Sequence, residues 1–216
     1  MNTLKIYETF SSIQGESTHA GRPCFFIRLA GCNLRCSYCD TAKAWGMDSG
    51  REMSISELVT LAKNSGLKLV EITGGEPMLQ EATPELCRIL LEQGFEVLME
   101  TNGSQPLSSL QEGVKRIIDW KTPSSGETEQ MLAENFQSLR QGDEVKFVIA
   151  DDRDFSNALD VMKRFSLPGN ATVLFAPVFG AMPPDRLVEK ILKHHVPARL
   201  NLQLHKFIWG ADAEGV

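Results

Sequence analysis

The sequence lacks the features that define several protein classes. No apolar run among its 216 residues approaches membrane-spanning length, and residues 1–5 lack the apolar core of a signal peptide. The formal net charge is −6, so no general basic surface for nucleic acid is expected. No repeat, low-complexity tract or linker is evident. We therefore expect one globular domain over residues 1–216, in the cytoplasm, with no membrane or nucleic-acid partner.

The cysteines also lack the partners that a zinc site or a disulfide framework would need. Three of the five lie in residues 32–41, Cys-Asn-Leu-Arg-Cys-Ser-Tyr-Cys-Asp-Thr, and no second Cys-x-x-Cys or His-x-x-x-His pair follows. An odd cysteine count without an export signal disfavours disulfides. Three thiolates can instead hold three irons of a cubane cluster and leave the fourth iron open. The segment predicts a 4Fe–4S cluster on Cys32, Cys36 and Cys39, whereas Cys24 and Cys87 are expected in the core.

Apolar and amphipathic segments alternate along the chain. Strands are predicted at residues 4–10, 24–30, 67–73, 95–100, 116–120, 144–149, 172–176 and 200–204, with a loop at 11–23. Helices are predicted at about residues 54–66, 83–94, 128–140, 154–165 and 185–195, with capping residues Ser54 and Thr83. Alternation of this kind predicts an α/β fold with a parallel sheet. The units are too few for a closed eight-fold barrel, so we expect a partial, trimmed (β/α) barrel.

Polar segments follow several of the predicted strands. They are the cysteine segment, residues 74–76, 101–103 and 119–121, and His205. Ligands of parallel sheets gather at the carboxyl ends of the strands. The shared location predicts one active site.

The cysteine spacing followed by Gly74-Gly75-Glu76-Pro77 resembles the radical S-adenosylmethionine superfamily. Alone, Gly-Gly-Glu-Pro could be a turn. The resemblance implies that the open iron binds S-adenosylmethionine and that Tyr38 lies against its adenine, with Cys39 and Asp40 adjoining. It also implies that Gly74, Gly75 and Glu76 bind the methionine amino group.

A second resemblance, to a more specific family, extends over the whole chain. Its segments are residues 11–16 (Ser-Ser-Ile-Gln-Gly-Glu), 21–23, 26–28, 31–34, 39–41, 101–103, 121–126 and 203–206. Together they resemble the 7-carboxy-7-deazaguanine synthase family, which contracts a pterin ring in deazapurine and queuosine biosynthesis. The resemblance implies a 4Fe–4S cluster, S-adenosylmethionine and Mg²⁺ as cofactors, and a flavodoxin- or ferredoxin-like reductant. A homodimer is expected for a small core with an apolar late segment.

The same resemblance implies roles for individual residues. Residues expected to contact the pterin are Ile13, Gln14, Gly15, Glu16, Arg28, Thr101 and His205. Residues expected to contact S-adenosylmethionine include Gly103, Asp119, Trp120 and Lys121. The hydroxyl of Thr41 would bind Mg²⁺, which prefers hard oxygen ligands.

Other interpretations of these residues stay open. Arg28 interrupts an apolar strand, so it meets either a core ion pair or the carboxylate of the substrate. Asp40 and Thr41 could simply cap a turn. Residues 151–154, Asp-Asp-Arg-Asp, are expected to hold a helix cap rather than a metal. The family that the chain resembles tends to end soon after the His-Lys segment, with the terminal carboxylate near the substrate. Here residues 211–216 follow Gly210, so Val216 is not expected to reach the site.

Two other functions are compatible with the cysteine spacing. One is an activating enzyme for a glycyl-radical protein, in which a peptide groove should replace the set Gln14-Gly15-Glu16, Arg28 and Thr41. The presence of this set argues against that function. The other is a non-catalytic iron–sulfur electron carrier, which needs neither Gly74-Gly75-Glu76 nor an open iron.

Overall fold

The computed structural model describes residues 2–211, 213 and 215–216, and its strands form one twisted sheet. The strands are β1 (Thr3–Ile13), β2 (Pro23–Leu29), β3 (Arg51–Ser54), β4 (Leu69–Gly74), β5 (Glu96–Thr101), β6 (Val114–Trp120), β7 (Glu144–Ile149), β8 (Thr172–Pro177) and β9 (Arg199–Leu200). Their order is β3-β1-β2-β4-β5-β6-β7-β8-β9. From β2 to β9 all neighbours pair in parallel, whereas β1 is antiparallel to both β2 and β3. The predicted α/β fold of the trimmed barrel type is confirmed.

Helices connect the parallel strands and cover one face of the sheet. They are α1 (Ile55–Asn64), α2 (Thr83–Glu92), α3 (Ala133–Gln137), α4 (Asp152–Arg164), α5 (Leu167–Asn170), α6 (Pro184–Lys193) and α7 (Leu204–Trp209). The main core lies between the helices and the outward side chains of the strands, and it joins Leu58, Leu86 and Phe155 to Ile27 and Phe147. No helix within the described residues has the length and apolar character required to cross a membrane.

The opposite face of the sheet changes in polarity along the strands. A small apolar cluster of Cys24, Phe26, Leu69, Leu98 and Ile117 occupies its amino-terminal part. Toward the carboxyl ends, the side chains that alternate onto this face are charged or polar. The inner face is therefore closed by apolar packing at one end and open to polar ligands at the other. Burial of Cys24 and Cys87 confirms that both are core residues.

The first part of the chain differs from the prediction. β1 continues to Ile13, because residues 11–13 pair with residues 23–25 of β2, so the predicted loop 11–23 was wrong over its first residues. β3 was missed, since four largely polar edge residues carry no strand pattern of their own. The capping box at Ser54 and Glu57 is confirmed. An Asp cap within residues 151–154 is also confirmed, but it is Asp151, so α4 begins at Asp152 and not at the predicted residue 154.

Three later predictions were also wrong in detail. The helix at 128–140 shrinks to a 3-10 turn and α3, because Leu132 N and Asn135 Nδ2 donate to the carbonyl of Gly103 at 3.2 and 3.0 Å. The strand at 200–204 ends at Leu200 and α7 follows. Thr83 does not cap α2, since its hydroxyl donates to the carbonyl of Pro77 at 2.6 Å.

Removing the cap of α1 should destabilise the protein measurably. In Ser54→Ala the amide of Glu57 loses its acceptor, so we expect the free energy of unfolding to fall by about 1 kcal/mol. Ser54→Thr keeps a hydroxyl acceptor and serves as the control. Chemical denaturation under anaerobic conditions measures both variants, and equal stability of the two would contradict the capping role.

Candidate active site

The carboxyl ends of the strands surround a cavity of about 670 Å³. Most of the residues predicted for the site line it. They are Ile13, Gln14, Gly15, Glu16, Arg28, Cys32, Cys36, Tyr38, Cys39, Asp40, Thr41, Gly74, Gly75, Thr101, Asp119, Lys121 and His205. Residues far apart in the sequence thus share one concave wall, as the location of the polar segments predicts.

The cysteine segment follows β2 directly and is held by neighbouring backbone. The amide of Cys32 donates to Trp45 O at 3.0 Å, and the amide of Ser37 donates to Ser125 O at 3.1 Å. The amide of Cys39 donates back to Cys36 O at 3.2 Å, which tightens the turn. The three thiols are free and face the same cavity.

Gly74 and Gly75 let the end of β4 approach the start of the cysteine segment. Gly75 N donates to Leu29 O at 3.1 Å, and a side chain at Gly75 would clash with the carbonyl of Gly31. Gly74 has a φ of +148°, and a Cβ there would meet the backbone of Leu29. The glycine pair is therefore needed for packing as well as for access of a ligand to the main chain.

Glu76 lies behind the cavity wall rather than on it. Its buried carboxylate accepts from Thr101 Oγ1 at 2.9 Å, Asn102 N at 2.7 Å and Met78 N at 3.0 Å. Burial raises the pKa of Glu76 to about 6, although these hydrogen bonds oppose the shift. The carboxylate of Glu76 thus joins the end of β4 to the end of β5, and its contact with the methionine amino group stays a prediction.

Gly103 and Trp120 are likewise absent from the cavity wall. The indole of Trp120 points to the outer core, where it packs on Phe136 and Phe165. Gly103, with a φ of +76°, packs against the carbonyl of Asp119. Alternation of side chains along β6 explains why the indole of Trp120 faces outward, since Asp119 and Lys121 on either side of it face the cavity.

The donor set of the cysteine segment fits a cubane cluster. Within the described residues, no three His, Cys, Asp or Glu side chains converge closely enough to hold one metal ion. Thiolates that each bind a different iron of a cluster need not converge in that way. Burial raises the pKa of Cys32, and it raises the pKa of Cys36 to about 11. Cluster binding would therefore displace protons from these thiols.

Gln14 is clamped between two glutamates. Its Nε2 donates to the carboxyl of Glu71, and its Oε1 accepts from the amide of Glu16 at 2.6 Å. Glu71 is buried beneath it on β4, and burial together with nearby Glu100 and Glu16 raises the pKa of Glu71 well above its ordinary value. The buried carboxyl of Glu71 thus fixes the orientation of the Gln14 amide.

Arg28 forms an ion pair on the cavity wall. Its Nε donates to Glu8 Oε1 at 2.8 Å, and its guanidinium lies 5.9 Å from the centre of the Phe10 ring. Both charged side chains are partly exposed to the cavity. Without a ligand, Arg28 thus pairs with Glu8, as the ion-pair interpretation expects. Its guanidinium still lies on the cavity wall, where it is accessible to the carboxylate of a ligand.

Asp40 links the cysteine segment to α7. Asp40 Oδ2 accepts from Lys206 Nζ at 3.0 Å and Gln203 Nε2 at 2.9 Å, while its Oδ1 accepts from the Thr41 hydroxyl at 3.0 Å. Although partial burial would raise the pKa of Asp40, these donors lower it. Thr41 precedes a short 3-10 turn without a side-chain capping bond, so the simple capping role is not found.

His205 occupies the first turn of α7, not the end of a strand. Gly15 makes this position possible, because a side chain there would overlap the imidazole. Leu204 N donates to Gly15 O at 2.9 Å, which ties α7 to the loop after β1. Burial lowers the pKa of His205, so the imidazole is neutral near pH 7.

Sequence reasoning missed several charged and polar side chains of the cavity. Glu71 is the only charged residue of β4, whereas Glu100 on β5 and Lys146 on β7 interrupt apolar residues on strands that each begin with a second charged residue. The same signal identified Arg28, and it could have identified these three. Gln203 and Lys206 also line the cavity, and the resemblance over residues 203–206 could have identified them. Residues that a strand or motif pattern could not have found include Asn201, together with Ala211, Ala213, Gly215 and Val216, which line the cavity or contact Glu16.

Comparisons with known proteins agree with this geometry. The sequence profile of the Radical SAM superfamily matches residues 26–122, and together with the cysteine site this defines a radical S-adenosylmethionine enzyme. The chain is 42% identical over 216 residues to a 7-carboxy-7-deazaguanine synthase of Chlorobaculum tepidum, covering 99% of this chain and 97% of the relative. It is 42% identical over 206 residues to one of Methanospirillum hungatei, covering 95% and 85%. This chain therefore belongs to the 7-carboxy-7-deazaguanine synthase family.

The fold has a counterpart among solved structures. The crystal structure of QueE from Escherichia coli matches with a TM-score of 0.77 and 23% identity, covering 94% of this chain and 95% of that chain. At this level of identity the likeness is one of fold.

Gly75→Ala should disturb the cysteine segment. The added methyl group would meet the Gly31 carbonyl and lie 2.9 Å from Cys32 Cβ, so we expect the iron and sulfide content after anaerobic reconstitution to fall to less than half. Gly169→Ala is the matched control, because no atom of the described residues lies within 4 Å of an added Cβ and its φ is unstrained. Equal cluster content in both variants would show that the close approach is dispensable.

The buried carboxyl of Glu71 should make stability depend on pH. Its pKa in the folded protein is raised above the ordinary value of 4.5, so the unfolded chain loses this proton first as pH rises. Stability of the wild type should then fall relative to Glu71→Gln above about pH 4.5, by at most about 1.4 kcal/mol per pH unit, until the folded pKa is reached. Unfolding of both proteins across pH 4 to 9 measures the difference, and a constant difference would refute the raised pKa.

Proposed function

We propose that this chain converts 6-carboxy-5,6,7,8-tetrahydropterin to 7-carboxy-7-deazaguanine with loss of ammonia. The reaction begins with removal of the C6 hydrogen and contracts the ring, and it belongs to deazapurine and queuosine biosynthesis. The observation that carries the proposal is that one cavity holds a cluster-type cysteine segment facing Gln14, Glu16 and Arg28, in a chain of this family.

The cluster and S-adenosylmethionine would occupy adjoining parts of that cavity. Cys32, Cys36 and Cys39 would hold a 4Fe–4S cluster, and S-adenosylmethionine would bind between Tyr38, Gly74, Gly75 and the pair Asp119 and Lys121. When bound, these groups would supply the one-electron chemistry that yields a 5′-deoxyadenosyl radical. The ion pair of Lys121 Nζ with Asp119 Oδ2, at 2.6 Å and largely buried, supports a fixed polar contact for the ribose or the carboxylate of methionine.

The protein would hold the pterin by charge and hydrogen bonds. Glu16 would accept from the guanidine-like ring nitrogens, and Gln14, Thr101 and His205 would contact the ring. Arg28 would exchange part of its contact with Glu8 for the substrate carboxylate, which suits the planar guanidinium. A neutral His205 could donate or accept one hydrogen bond without adding charge.

Magnesium would bind at Thr41. The hydroxyl lies on the cavity wall beside the carboxylate of Asp40, and the remaining ligands would be the substrate and water. The ion would orient the substrate carboxylate and stabilise its charge.

The assembly and setting are further parts of the proposal. The exposed side chains of Phe207, Ile208 and Trp209 form an apolar surface on α7, which supports a homodimer. A flavodoxin- or ferredoxin-like protein would reduce the cluster, in the cytoplasm. Sedimentation of the wild type and of Ile208→Asp tests the dimer, and a monomeric wild type would exclude it.

The activity is tested by anaerobic reconstitution, reduction, and addition of S-adenosylmethionine, Mg²⁺ and the carboxytetrahydropterin. Mass spectrometry should detect both 5′-deoxyadenosine and a product that has lost one ammonia. Deoxyadenosine without that product would exclude this substrate and favour an activating enzyme for a glycyl-radical protein. Neither product from a fully reduced cluster would favour an electron carrier.

Arg28→Met should weaken substrate binding specifically. Loss of the guanidinium should raise KM for the pterin at least tenfold, equivalent to about 1.4 kcal/mol, with little change in S-adenosylmethionine binding. Arg88→Met removes an exposed arginine paired with Glu92 on α2 and serves as the control. Steady-state kinetics decide the matter, and an unchanged KM in Arg28→Met would leave Arg28 with only its ion pair to Glu8.

A further inference from the structure

The ammonium group of Lys146 lies at the centre of a charge cluster inside the cavity. Lys146 is on β7 and its side chain is only 6% exposed. Its Nζ contacts a carboxylate oxygen of Glu100, Glu16 Oε2 at 3.1 Å and Asp119 Oδ1 at 3.3 Å. Burial alone would lower the pKa of Lys146, but the three carboxylates raise it well above its ordinary value. The ammonium is thus charged and shared among three acidic side chains.

The three carboxylates that contact Lys146 come from different parts of the fold. Glu16 follows β1, Glu100 lies near the end of β5 and accepts from the Thr73 hydroxyl at 3.1 Å, and Asp119 lies near the end of β6. Lys146 is therefore a common contact between the loop after β1 and the strands on the far side of the cavity.

Lys146 also limits how many hydrogen bonds the Glu16 carboxylate can accept from a ligand. The carboxylate of Glu16 accepts from Lys146 Nζ and Asn201 Nδ2 through Oε2, both at 3.1 Å, and from Gln203 Nε2 through Oε1 at 3.0 Å. A carboxylate has about four acceptor positions, so three fixed donors leave about one for a ligand. The orientation of that position depends on the ammonium, which is the only charged donor of the three.

The ion pair of Arg116, on the same sheet, with Asp143 has a purely structural role and differs from the Lys146 cluster in location and in charge balance. Arg116 on β6 faces the outer side, is fully buried, and pairs with the single carboxylate of Asp143 and with Ser138 O at 2.9 Å. Lys146 instead borders the cavity and is outnumbered by carboxylates. An excess of acceptors facing a cavity complements a ligand rich in N–H and O–H donors.

We propose that Lys146 is a positioning residue that orients Glu16 toward the pterin and Asp119 toward S-adenosylmethionine. It touches neither reacting atom and acts through these two carboxylates. The inference rests on the proposed function and extends it to a residue on β7. Lys146 keeps the two ligand-binding sides of the cavity in register.

A double-mutant cycle tests the action through Glu16. The probe is 6-carboxypterin, whose fluorescence reports binding to the reconstituted, S-adenosylmethionine-loaded enzyme without turnover. Lys146→Met and Glu16→Gln should each raise the Kd at least tenfold. The double variant should be no more than about threefold weaker than the weaker single variant, because both remove the same interaction. Additive losses, or a Kd for Lys146→Met within twofold of the wild type, would overturn the inference.

The action of Lys146 through Asp119 is tested by the affinity for S-adenosylmethionine. Equilibrium dialysis should give Lys146→Met a Kd for S-adenosylmethionine about threefold or more above the wild type, through Asp119. An unchanged value would refute the joint role. If Lys146→Met does not fold, Lys146→Arg decides, since the charge is kept on a wider planar group. A folded Lys146→Arg with three- to tenfold weaker pterin binding supports the inference, and wild-type binding contradicts it.

The wild-type protein distinguishes a failure of the proposed function from a failure of the role proposed for Lys146. A wild type that forms the deazaguanine product while Lys146→Met binds both ligands normally would overturn only the role of Lys146. A wild type that neither binds 6-carboxypterin nor forms the product would overturn the proposed function, and the inference with it.

Discussion

The close approach of two backbone segments determines the arrangement of the cavity. The amides of Gly75 and Glu76 donate to the carbonyls of Leu29 and Gly31, at 3.1 and 2.7 Å. These bonds hold the start of the cysteine segment against the end of the neighbouring parallel strand, and only glycine permits the distance. The buried carboxylate of Glu76 continues the connection to β5. A rigid series of strand ends thus presents both the thiols and the polar cavity wall.

Charge inside the sheet is the second constraint. Carboxylates and ammonium groups are rarely buried unless they are paired, and here Glu16, Glu100, Asp119, Lys121 and Lys146 satisfy one another. Apolar packing at the amino-terminal part of the inner face supplies stability that this polar part does not. The division lets one side of a sheet combine a packed core with a site for charged ligands, and it explains why the polar residues cluster at one end.

The sequence predicted the site better than its supporting structure. Strand ends and the cysteine spacing follow from local patterns, so most of the cavity wall was predictable. The extension of β1, the shortened helix before β7 and the position of His205 on α7 depend on pairing with distant segments. Alternation predicts that the indole of Trp120 faces the outer core, because both its neighbours face inward. The burial of Glu76 could not be predicted, since a turn motif does not specify where its side chain points.

The central claim is that the pterin and S-adenosylmethionine bind side by side in one cavity. Turnover of pterin substrate deuterated at C6 tests it most directly, because transfer of hydrogen to the 5′-carbon requires the two groups to be in contact. The account predicts that 5′-deoxyadenosine gains one deuterium while the deazaguanine product accumulates. Unlabelled deoxyadenosine formed alongside product would contradict it, since the hydrogen would then come from elsewhere.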